Sequence, residues 1–165
     1  MIRAASIADL GSEPLLRLEA YWLTKRGTRA MPSRADIDPA EIKDLLPQII
    51  MARIEHDPQR VKYSIVGTAC ARSAGFDYTG RYLDELLFES ESDTDWLKIY
   101  DEIVSERKPV AGTCRFKTAD VEVPYRVAVF PLSNDGARVD HTIAYEHLTL
   151  SLTEMDHVLP VRPAG

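Results

Sequence analysis

Apolar positions along the chain change their period several times, and each change marks an element. From Ser12 to Arg26 the spacing is helical, with Leu15, Leu18 and Trp22 on one stripe widened by Leu16 and Leu23. Ser12 caps this helix, Pro14 suits its first turn and Gly27 stops it. A second, short helix starts at Asp38-Pro39-Ala40-Glu41, whose residue types make a capping box, and Pro47 ends it. Period-two patterns then predict strands over 48–55 and 61–67, the second with Val61, Tyr63 and Ile65 in alternation. His56-Asp57-Pro58-Gln59 between them makes a hairpin turn.

Thr68 to Ala74 reads as a short helix ended by Gly75, and Tyr82 to Phe88 as another turn or two. The clearest helix spans Asp93 to Lys108, capped from Ser92, where Trp96, Ile99, Tyr100, Ile103, Val104 and Arg107 share one broad face. Strand patterns follow over 110–118, 123–132 and 139–150, with a turn at Asn134-Asp135-Gly136. A trailing segment from Thr153 to Leu159 is either a short helix or irregular. A hairpin, a helical middle and a three-strand meander imply an α+β fold: one antiparallel sheet covered by helices, with extra N-terminal helices shielding another surface.

Composition narrows the class without changing that picture. A chain of 165 residues with 45% hydrophobic and 28% charged residues suits one globular domain. It divides into an N-terminal helical extension (12–47), a core (48–150) and a tail (151–165). The net charge of −6 argues against a broad phosphate-binding surface, so nucleic acid is not expected as a partner. No signal peptide and no membrane span are legible, and Cys70 and Cys114 fit no metal or CxxC spacing. The expected location is the cytoplasm, with free thiols.

Local motifs point to a family. Tyr21-Trp22, Arg26-Gly27, Pro32, Arg34, Asp36 to Pro39, Ile42 and Leu46-Pro47 resemble the N-terminal signature of the PAS type 5 family, largely alphaproteobacterial. Arg60, Val66-Gly67-Thr68, Gly75, Asp77, Thr79-Gly80 and Leu83 resemble its middle segment, and Lys108-Pro109-Val110 its entry to the third strand. The resemblance covers roughly residues 12 to 150 and implies a five-stranded antiparallel sheet in spatial order 2-1-5-4-3. It also implies a stand-alone sensory module. Gly67 and Gly80 suit chain reversals that need a positive φ or a missing Cβ.

Candidate chemistry is sparse. His141 and His147 are too far apart on one strand to chelate together, and the central helix carries no histidine for a haem. Cys114-Arg115-Phe116 lies after the long helix instead of before it, which counts against a covalent flavin. No Ser/His/Asp order, HExxH, GxSxG or phosphate loop is present, so a non-enzymatic module is expected. Asp36 and Asp77 are candidate ion-pair partners for Arg34 and Arg60.

In a PAS arrangement, ligands sit between the sheet and the helices over it. Ile65, Cys70, Phe76, Leu83, Trp96, Tyr100, Ile103, Cys114, Phe116, Tyr125 and Val127 are the candidate lining, with Tyr100 and Tyr125 as polar handles. The same side chains would equally serve a filled core. Leu15, Leu18 and Trp22 must pack on their own domain or on a second copy, and are the candidate dimer interface. The expected function is sensing of a small apolar ligand, cofactor unknown, or binding of a signalling-protein partner; the alternative is a dimerisation adaptor without a ligand.

Overall fold

Strand pairing follows from the short turns that the sequence marks. The computed structural model describes residues 1–86, 94–117 and 122–148. Strands β1 (Ile2–Arg3), β2 (Ile49–Glu55), β3 (Arg60–Val66), β4 (Val110–Lys117), β5 (Glu122–Leu132) and β6 (His141–Leu148) form one antiparallel sheet. Their order is β1-β4-β5-β6-β2-β3. The β2–β3 hairpin turns through residues 56–59. Between β5 and β6 the Asp135 carboxylate accepts the N–H groups of Ala137 and Arg138, at 2.8 Å each, and Gly136 (φ 77°) takes the left-handed position of the turn.

The five long strands keep the expected 2-1-5-4-3 order, read as β3-β2-β6-β5-β4. The sheet has one strand more than expected. Ile2 and Arg3 pair with Thr113 and Gly112 on the free edge of β4. Two residues show no alternation, so this strand has no signature of its own. Gly112 permits it, because a Cβ there would collide with the Ile2 carbonyl oxygen.

Helices cover both faces. Helix α1 (Glu13–Arg26) lies across β5 and β6 on the outer face, capped by Ser12 Oγ, which accepts the Leu15 N–H at 3.4 Å. Leu15 and Leu18 are 0% exposed and Trp22 3%. Trp22 stacks 5.9 Å from Phe130, and its indole N–H donates to the Pro131 carbonyl at 2.8 Å. The inner face takes α2 (Thr68–Ala74), α3 (Leu83–Leu86) and α4 (Trp96–Glu106), with Ile99, Tyr100 and Ile103 of α4 buried. The α4 cap is Asp95, which accepts the Lys98 N–H at 3.1 Å. Arg107 (φ 55°) ends it left-handed, two residues short of the expected end at Lys108.

Two local expectations need correction. The helix expected at Asp38 is a 3-10 turn, Pro39–Ile42, flanked by two others at Arg34–Asp36 and Leu46–Gln48. Asp38 caps it, but Glu41 reaches Lys25 on α1 (2.6 Å) instead of its own cap. Ion pairs also differ: Asp36 accepts from Arg29 (2.9 Å), and Asp77 caps Thr79. Ser92 and the segment from Thr153 to Leu159 lie outside the described residues.

Candidate functional site

Alternation along β6 aims Thr142, Ala144, Glu146 and Leu148 at the inner face. Glu146 stands opposite Val127 of β5, whose own cross-strand neighbour on β4 is Gly112. Tyr125 and Cys114, a directly opposed pair, lie one step along the same face. The β2–β3 hairpin contributes Tyr63, opposite Ala52, and the segment after α2 contributes Tyr78. These two rings meet edge to face, 4.9 Å between centroids at 80°. From the helices come Cys70 on α2 and Tyr100 on α4. A carboxyl is thus set among four phenols and two thiols.

The electrostatics follow from that setting. Burial strips hydration from the Glu146 carboxylate and pushes its pKa up from 4.5 to about 7, against a smaller opposing pull from the Cys70 thiol donating to it. Among the described residues no cation counters the loss of hydration. Burial also raises Tyr63, Tyr78, Tyr125, Cys70 and Cys114, and takes Tyr100 to about 12; the Glu146 charge pushes each further in the same direction. Yet Glu146 retains accessible surface, whereas Ala144, Leu148, Val127 and Tyr125 around it are buried. Glu146 as a residue is thus only partly enclosed, although its carboxyl sits deep among core atoms. Thr142 is 1% exposed, and its hydroxyl faces the Tyr100 phenol and pulls the phenol's pKa down against the effect of burial.

Of the expected lining, Cys70, Leu83, Tyr100, Ile103, Cys114, Tyr125 and Val127 are buried, and Phe76 and Trp96 are partly buried against the same core. Phe116 keeps its strand position opposite Val123, but its side chain lies outside the described residues. Ile65 belongs to the other face and is 39% exposed. The register jumps from Ala52↔Tyr63 to Met51↔Ile65, so Ser64 is an extra residue and inverts the alternation beyond it. Leu15, Leu18 and Trp22 are spent on the chain's own sheet, so they are not at the surface. Glu146 was not among the expected residues. Its signal was available: a charge in step with the apolar Ala144 and Leu148.

Other groups offer less. Arg60 forks onto Asp84 at 2.8 and 3.1 Å and lies 3.6 Å above the Tyr82 ring. It borders a surface cleft of about 330 Å³ between the β2–β3 turn, α3 and α4. Ser12 Oγ stands 2.5 Å from His147 Nδ1, but Ser12 is wholly buried and serves as a helix cap, which leaves it no access to a substrate. Cys70 and Cys114 are both buried with no exposed surface. Among the described residues no three His, Cys, Asp or Glu side chains converge as metal ligands, and no helix is long and apolar enough to cross a membrane.

A family model described as a PAS domain matches residues 10–144. The chain belongs to the PAS domain family. A solved structure agrees on the fold of this PAS domain. A light-oxygen-voltage domain studied with a flavin analogue superposes with a TM-score of 0.51 at 8% identity, over 72% of this chain and 89% of that one. An RNA-binding light-oxygen-voltage receptor gives 0.49 at 20% identity, over 76% of this chain. The chain spans only 38% of that receptor's length. A Rhodobacter sphaeroides light-oxygen-voltage protein gives 0.49 at 8% identity, over 68% of this chain and 69% of that one. No curated protein matches significantly.

Proposed function

We propose that this PAS domain is a sensory module that takes a small ligand between its inner sheet face and the helices α2, α3 and α4. The carrying observation is Glu146: an inward-facing residue near the end of β6 that keeps accessible surface, with no cation among the described residues acting on its carboxyl. A buried carboxyl that only filled space would cost stability with no return, since an unpaired charge is the least favourable core occupant. Tyr63, Tyr78, Tyr100 and Tyr125 supply aromatic walls and hydroxyls, which is the apolar lining with few polar handles that ligand sites use. No described nucleophile stands beside a base with access to solvent, which favours sensing over catalysis. The free thiols suit a reducing cytoplasm.

Output then leaves through a partner or through a second copy. With Leu15, Leu18 and Trp22 turned inward, the outward leucines of α1, Leu16 and Leu23, are the side chains left for a homodimer; both are exposed. Native mass spectrometry of freshly purified protein tests both readings. A mass excess of a few hundred daltons, lost on denaturation, is expected. A ligand-free spectrum, together with no thermal stabilisation across a metabolite library, would overturn the sensory reading and leave the adaptor. A purely monomeric spectrum removes the homodimer.

A further inference from the structure

We infer that the ligand is an organic cation, an amine or quaternary ammonium group seated against Glu146 within the tyrosine cluster. This rests on the sensory reading above and adds the ligand's charge class. Three observations carry it. Glu146 is an inward-facing residue near the end of β6 that keeps accessible surface, and among the described residues only the Cys70 thiol donates to its carboxyl. Tyr63 and Tyr78 meet at 80°, which makes two walls of an aromatic corner. Among the described residues no cation acts on the Glu146 carboxyl, and the Met1 amine is held at 3.1 Å by Thr94.

The chemistry discriminates sharply between ligand charges. An anion would meet a carboxylate and phenol oxygens without a counter-ion. A neutral ligand can be hydrogen-bonded but leaves the ionised carboxylate unpaired. A cation supplies the missing partner and is attracted to the faces of aromatic rings, an interaction worth about 2 kcal/mol or more when desolvated. Among the described residues, the titratable groups that interact with Glu146 are Tyr125 and Cys114 of the sheet, Tyr63 of β3, Cys70 of α2, Tyr78 after α2, and Tyr100 of α4. None is positive, so binding a cation would draw the proton off Glu146.

The test compares charge at constant shape. Choline is set against 3,3-dimethylbutan-1-ol, and benzylamine against benzyl alcohol and benzoate, by isothermal titration and thermal melting at pH 5.5 and 8. The expected result is at least tenfold tighter binding of each cation than of its neutral partner at pH 8. The preference should shrink at pH 5.5, with proton release on binding read from buffers of different ionisation enthalpy. Glu146→Gln should bring the ratio near one while melting stays cooperative. Equal or tighter binding of the neutral partners, or an unchanged preference in Glu146→Gln, overturns the cation inference and leaves the sensory reading standing. Failure of every probe, with a ligand-free native mass spectrum, overturns both.

Discussion

Glu146 makes stability depend on pH in an unusual direction. Below about pH 4.5 its carboxyl is protonated in folded and unfolded chains alike and has no effect. Between 4.5 and about 7 the unfolded chain ionises while the folded one keeps its proton, so this group removes stability as pH rises. Above pH 7 the whole penalty, on the order of 3 kcal/mol, remains. Urea denaturation at pH 5 and pH 8 should therefore show Glu146→Gln near the parent at the lower pH and more stable at the higher. An equal difference at both values would mean that the carboxyl is not held protonated by burial. Gly67 is the other decisive residue. Its backbone is ordinary (φ −62°), but a Cβ would strike the Leu46 and Pro47 carbonyl oxygens. Because the obstacle is backbone, Gly67→Ala should cost more than the roughly 1–3 kcal/mol of ordinary overpacking. A melting temperature within a degree or two of the parent would contradict that packing. Gly80, with φ +84°, is the contrasting case, needed for its left-handed conformation.

At the scale of elements, the strongly periodic segments were legible and the caps mostly so. Helix α1 runs from its Ser12 cap to Gly27 as the pattern requires, and α2 falls on its expected residues. What periodicity could not supply was the partner of each stripe. Leu15, Leu18 and Trp22 fit either a second chain or their own sheet, and the contact with Phe130 and Pro131 across more than a hundred residues resolves it. Trp22→Ala should thus destabilise the monomer by about 3–5 kcal/mol instead of merely changing its oligomeric state. Chemical denaturation followed by light scattering separates the two: an unchanged midpoint with a halved mass would contradict intramolecular packing. Ile65 failed for a related reason. A one-residue bulge at Ser64 is set by pairing with β2, and it inverts an alternation that reads smoothly along the chain.

For the whole molecule, the motif resemblance implied the family and the order of the five long strands, and the element order and turn chemistry determined the α+β class. These are local choices repeated along the chain: alternation, helical spacing, caps and turn residues. Tertiary structure alone decided the rest. It placed a sixth strand on the β4 edge, using a close approach at Gly112 that a two-residue segment cannot advertise. It closed the outer face with α1, and it gathered Tyr63, Cys70, Tyr78, Tyr100 and Tyr125 around Glu146. Those residues are separated by up to 83 positions, and each looks like an ordinary core or strand residue where it stands. Their shared carboxyl acquires its raised pKa only when distant segments exclude water from it together. Local spacing writes the fold into the chain, whereas a desolvated charge is a property of the assembled interior.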